Sequence, residues 1–119
     1  MPYTIGEVAR MMNIAPSTLR YYEKEGLLSL GVRASNGQRT YTDDDIATLS
    51  IIEYLKFCGL PLKEIRSFLP LIRPGGETLS ARRDILAKER DNVRAQIAAL
   101  QTKLERLDFG CWYYETAQQ

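Results

Sequence analysis

The sequence predicts a mainly α-helical fold: a winged helix-turn-helix unit with a small β-hairpin wing, then one long helix of coiled-coil character. Three observations carry this expectation. Two short amphipathic segments with separate start signals flank a break of two or three residues before Pro16. An Asn36-Gly37 pair, a strong hairpin-turn signal, stands between residues able to form strands. Leucine or valine then recurs every seven residues, at Leu79, Leu86, Val93, Leu100 and Leu107.

The first segment opens on Thr4 with Glu7 three residues later, a capping box in which each side chain satisfies a free amide at the helix start. Ile5, Val8 and Met12 share one face, and Asn13 suits the stop. Pro16 is well placed as a first helical residue, and the second helix runs to Gly26. Ala15, just before it, has no hydroxyl to cap with, which leaves capping to Ser17 shifted inward or to water. The hairpin is expected across about residues 28–41. Thr42 then caps a helix with Asp43, Asp44 and Asp45 in its first turn, where carboxylates favour the helix dipole. Ile46, Leu49, Ile52 and Leu55 form its apolar stripe, and Gly59 ends it. Pro61 starts a further helix with Leu62, Ile65 and Leu69 inward. Pro70 is expected to end or kink it, and Pro74-Gly75-Gly76 to break the chain.

In the last segment Ile97 and Leu104 interleave four residues after Val93 and Leu100, completing a seam on a helix of about 30 residues and roughly 45 Å. The N-terminal unit is too small to cover that length, so the seam is expected to meet a second copy. The expected divisions are residues 1–75 for the winged unit, 76–110 for the coiled coil and 111–119 for a short aromatic tail.

Composition narrows the function. With 119 residues and a net charge of +1, the chain has the bulk of one small domain with an extension. Residues 1–41 carry five Lys/Arg against three acids, a small bias compatible with a phosphate-facing surface. There is no histidine and there are two cysteines, Cys58 and Cys111, so neither a zinc site nor a disulfide framework is expected. Without histidine, a phosphate-cradling glycine loop or paired acids, catalytic residues, metal and cofactors are expected to be none. No apolar run approaches membrane-spanning length and no signal-peptide pattern opens the chain, so no membrane partner is expected and the setting is read as reduced and cytoplasmic.

Specific motifs go further. I-G-E-V-A (5–9), T-L-R-Y-Y-E (18–23), G-L-L (26–28), R-A-S-N-G-Q-R-T-Y (33–41), D-I-A-T-L (45–49) and G-L-P-L-K-E-I (59–65) stand in one order and spacing. By these the chain closely resembles the MerR family of transcription regulators over nearly all its length. The resemblance implies a homodimer, joined by an antiparallel coiled coil, that binds double-stranded DNA at an inverted-repeat promoter operator. It also implies distortion of the promoter spacer so that RNA polymerase engages both promoter elements. An excisionase-like protein that bends DNA without an effector response is the alternative, and the long coil argues against it.

The resemblance implies DNA contacts at Thr4, Ser17, Thr18, Arg20, Tyr21, Tyr22, Arg33, Arg39, Tyr41 and Lys56. Leu19 and Tyr22 share one helix face while Arg20 and Tyr21 point elsewhere. The resemblance puts Arg20 and Tyr21 at base edges or phosphates, and Ser17 and Thr18 stand at the phosphate-attracting helix start. For Tyr22 two readings stay open, a hydroxyl on phosphate or a core aromatic. Alternation puts Arg39 and Tyr41 on one strand face, as a backbone clamp requires. Lys63 and Arg66 are weaker candidates.

The seven coil residues Leu79, Leu86, Val93, Ile97, Leu100, Leu104 and Leu107 are the expected dimer contacts. The stretch A-R-R-D-I-L-A-K-E-R (81–90) and the tyrosine-rich end resemble the short branch of aldehyde- and electrophile-responsive members. That makes Cys111, Trp112, Tyr113 and Tyr114 a possible effector or thiol site, with packing against the partner's DNA-binding unit as the competing reading. Cys58 is expected to be a core residue.

Overall fold

The computed structural model describes residues 2–28, 32–33, 37, 39–72 and 75–118. The described elements run β1 (Tyr3–Thr4), α1 (Ile5–Met12), α2 (Pro16–Lys24), β2 (Val32–Arg33), β3 (Arg39–Tyr41), α3 (Asp43–Phe57), α4 (Leu62–Ile72), a 3₁₀ turn (Gly75–Thr78) and α5 (Leu79–Ala117). The chain divides into two compact units, Met1–Arg82 and Arg83–Gln119.

Local chemistry explains most helix ends of the first unit. The Thr4 hydroxyl accepts from the Glu7 amide at 3.2 Å, while the Glu7 carboxylate accepts from the Thr4 amide at 2.9 Å. That backbone donor, with the Thr4 hydroxyl, holds the Glu7 carboxyl below the ordinary carboxylate value. Asn13 closes α1 in the left-handed conformation, φ 54°, which asparagine tolerates better than most residues. Pro16 takes the first position of α2 and Ala15 the cap position with no side-chain bond to the helix; Ser17 does not replace it. Thr42 and Asp45 repeat the capping box at α3, and Gly59, φ 93°, turns the chain after it.

α4 passes through Pro70 and ends at Ile72, so the proline removes one bond, to the Arg66 carbonyl, without ending the helix there. The expected hairpin is present as β2 paired with β3, and β1 joins it as a third strand, giving the order β1-β3-β2. Tyr3 faces Tyr41 and Thr4 faces Thr40 across β1 and β3, while Val32 faces Thr40 and Arg33 faces Arg39 across β2 and β3. The Tyr3 hydroxyl, donating to Asp43 at 2.8 Å, ties β1 to the first turn of α3. The Asn36 half of the hairpin turn lies outside the described residues, while Gly37 has a φ of 85°.

The core of this unit draws one or more residues from each long element: Val8 from α1, Leu19 and Tyr22 from α2, Tyr41 from β3, Leu49, Ile52 and Leu55 from α3, and Ile65 and Phe68 from α4. Each fully buried aliphatic side chain contributes about 1.5–3 kcal/mol relative to exposure. The expected α3 stripe holds, with Ile46 at its half-buried end. On α4, Phe68 takes the buried place expected of Leu69, which is half-buried. Cys58, at the C-terminal cap of α3, is also half-buried.

The second unit is helix alone. α5 runs unbroken to Ala117, so residues 111–117 continue the coil helix instead of forming a separate tail. No residue of α5 is buried within the chain. Seam positions Leu79, Val93, Ile97, Leu100, Leu104 and Leu107 are all exposed, and Leu86 is half-buried.

Candidate nucleic-acid interface

Helix α2 has two faces. Leu19, Tyr22 and Glu23 are buried, whereas Ser17, Arg20, Tyr21 and Lys24 are exposed, and Thr18 lies at the margin. At 100° per residue the buried three and the exposed four cluster on opposite sides of the helix. The helix is thus seated by an apolar pair and a carboxylate, and it offers solvent two cations, a phenol and a hydroxyl. Arg66 of α4 fixes its far end, pairing with the Glu25 carboxylate and donating through Nε to the Glu25 carbonyl at 3.1 Å. This bond accounts for Arg66, a weaker contact candidate, as a tether within the unit.

The adjacent tyrosines have separate environments. Tyr21 is about half exposed. Tyr22 is 1% exposed, and its hydroxyl donates to Glu53 at 2.7 Å while accepting from Lys56 Nζ at 2.7 Å. The hydroxyl is therefore already partnered on both sides, so Tyr22 is a core aromatic with a polar tip. Burial raises its pKa, and the bond to Tyr22 raises that of Lys56. Lys56 remains half exposed at the edge of a cavity of about 420 Å³ that Ser17, Thr18 and Tyr21 also line.

A second concavity, of about 710 Å³, lies between the start of α1, α2 and β3, with Thr4, Gly6, Arg20, Lys24 and Arg39 among its lining residues. The lining also includes Glu23, with which Arg39 pairs, so the surplus positive charge of this hollow rests on Arg20 and Lys24. Thr4 is engaged in its capping box at the rim, so its hydroxyl acts on the α1 amide.

The strand residues depart from expectation. Arg39 and Tyr41 do share a face, as alternation requires, but that face turns inward. Tyr41 is fully buried with its hydroxyl donating to Glu23, and Arg39 pairs with the same carboxylate. Tyr41 is thus excluded from direct contact with a large ligand. Burial pushes its phenol above the ordinary tyrosine value. Glu23 was absent from the expected site because a carboxylate seldom marks a DNA-facing helix. Its signal was the helical spacing that groups it with Leu19 and Tyr22. Arg33 is backbone-paired opposite Arg39 in β2.

The chain matches the family described as MerR HTH family regulatory protein over residues 3–71, and that described as MerR, DNA binding over residues 46–108. The chain belongs to the MerR family of DNA-binding transcription regulators. An uncharacterized HTH-type transcriptional regulator of Haemophilus influenzae is 36% identical, over 99% of this chain and 87% of that protein. The HTH-type transcriptional regulator ZntR of Escherichia coli is 36% identical, over 92% and 80% respectively. Among solved structures, HiNmlR, a MerR family regulator lacking the sensor domain and bound to promoter DNA, has a TM-score of 0.67 at 36% identity. That match covers 99% of this chain and 94% of HiNmlR. These matches support promoter-DNA regulation over the architectural alternative.

The aromatic end of this MerR chain does not converge on one site. On a continuous helix, Cys111 and Tyr114 extend the seam four and seven residues beyond Leu107. Trp112 and Tyr113 fall with Phe109 on the opposite side, where the Phe109 and Trp112 rings lie 5.8 Å apart. All are exposed. The residues expected as one site thus begin on two helix faces, with the Tyr113 and Tyr114 rings meeting edge to face between them, centres 5.2 Å apart. Among the described residues no group of three or more His, Cys, Asp or Glu could hold a metal ion, and no helix is long and apolar enough to cross a membrane.

Proposed function

We infer that this regulator acts as a homodimer on an inverted-repeat operator and changes the geometry of the promoter spacer for RNA polymerase. The carrying observation is the division of α2. Its inward side is consumed by Leu19, Tyr22 and Glu23, and its outward side offers Ser17, Arg20, Tyr21 and Lys24. A helix so seated has the dimensions and donors to enter a major groove. Arg20 reads base edges, Ser17, Thr18 and Tyr21 meet the adjoining backbone or bases, and Lys56 meets phosphate.

Self-association is supported by the exposed stripe from Val93 to Leu107, which costs free energy in water and is covered by a second copy of the same seam. Cys111 and Tyr114 lengthen that seam, so the thiol serves packing between copies rather than effector chemistry. DNA distortion costs several kcal/mol and is recovered through contacts made by both copies.

Selection from a randomised duplex pool, followed by footprinting of the selected DNA, tests this reading. An inverted repeat with two protected half-sites is expected. An unpaired single half-site, or a monomer in sedimentation at micromolar concentration, would sink it. Unaltered DNA binding by Cys111→Ser is expected with and without an aldehyde.

A further inference from the structure

Glu23 is 5% exposed, and its carboxylate is shared by two donors from one strand. One oxygen accepts from Arg39 Nη1 and the other from the Tyr41 hydroxyl. Those donors come from alternate residues of β3, the centre strand, which carries β1 on one side and β2 on the other. A buried carboxylate is tolerated when both oxygens are paired, and here each oxygen has its own donor. On the outer side of the same helix stand Arg20, about one turn before Glu23, and Lys24, the next residue after it.

We propose that Glu23, Arg39 and Tyr41 form a brace that sets the angle of the wing against the recognition helix, with Arg39 a positioning residue whose charge is spent on Glu23 rather than on phosphate. This rests on the reading of α2 as the recognition helix. The brace explains why a strand at the DNA side carries a buried tyrosine. It also assigns the outward positive charge of this region to Arg20 and Lys24. Selectivity then depends on Arg39 through geometry: a loosened wing shifts the register in which Arg20 meets the bases, while the count of phosphate contacts stays the same.

The salt dependence of DNA binding separates the two roles. Each phosphate contact contributes about 0.9 to the slope of log K against log salt on duplex DNA. Full-length protein is titrated with the duplex it selects and with a mixed-sequence duplex. For Arg39→Lys, which keeps the charge but replaces the longer planar guanidinium with a shorter ammonium, the brace predicts a fall of about tenfold in the selected-to-mixed affinity ratio with an unchanged slope. For the doubly neutral Glu23→Gln/Arg39→Gln, which retains hydrogen-bonding groups should either single change prevent folding, the same pattern is expected. A slope lower by about 0.9 in the double variant with the ratio preserved would make Arg39 a phosphate contact and overturn the brace. An unchanged ratio in both variants would overturn it as well. Arg20→Ala in parallel isolates the underlying reading: if it leaves the ratio intact, α2 is not the recognition helix, whatever Arg39 does.

Discussion

Residues Met1–Arg82 and Arg83–Gln119 solve the burial of apolar side chains in opposite ways. In the first unit Leu49, Ile52 and Leu55 vanish into a core shared by helices and a sheet, and Tyr22 and Tyr41 follow with their hydroxyls paired. In the second, Leu100, Leu104 and Leu107, of similar spacing, stay half or more exposed on the surface of one helix. Equal sequence patterns therefore have unequal energetic meaning. A leucine in the first unit holds the fold, and most leucines in the second lie on the surface of their helix.

The sharpest break of this comparison comes from matched leucines. Leu49→Ala is expected to destabilise the first unit by about 2–5 kcal/mol, read as a lowered denaturant midpoint. Leu104→Lys is expected to leave that midpoint unchanged in dilute protein while moving the sedimentation boundary from dimer to monomer. A large loss of folding stability from Leu104→Lys at concentrations where the chain is monomeric would erase the distinction.

A smaller effect separates residues within the first unit. Arg20→Ala is expected to cost about 1–3 kcal/mol of binding to the selected duplex and to relax its sequence preference. Lys56→Ala is expected to weaken binding to all duplexes alike and to lower the salt slope by about 0.9. Titrations at several salt concentrations check both, and loss of preference from Lys56→Ala would refute the division.

The smallest effect is a dependence on pH. Burial raises the phenols of Tyr22 and Tyr41 above their ordinary 10.0, and the bond to Tyr22 raises Lys56 above 10.5. Folded values above unfolded ones mean stability that is complete below the unfolded values and lost as pH rises through the folded ones. The first unit is thus expected to hold steady from neutral pH to about 10 and then unfold. Tyr22→Phe should soften that alkaline limb in circular dichroism. Helix α5 supplies no such buried group and should not share the transition.

Much of this was legible because it is local. Thr4 with Glu7, Thr42 with Asp45, Asn13 and Pro16 each act within one helical turn, so neighbouring residues suffice to predict them. The two sides of α2 were legible for the same reason, since the spacing of Leu19 and Tyr22 alone separates them from Arg20 and Tyr21. β1 was not, because a strand of two residues has no period and exists through its pairing with Thr40 and Tyr41.

The sequence by itself determined the helices, their caps and the existence of an apolar stripe waiting on α5, all consequences of spacing along one chain. Tertiary structure alone decided what the polar side chains do. Tyr22 finds Glu53 and Lys56 more than thirty residues away, and Arg39 and Tyr41 close on Glu23 sixteen and eighteen residues back. Alternation told which side chains share a face of β3, but only the packed helix behind the strand made that face the interior. A buried polar group takes the partner that the fold brings within hydrogen-bond reach, and that partner is set in space rather than in sequence.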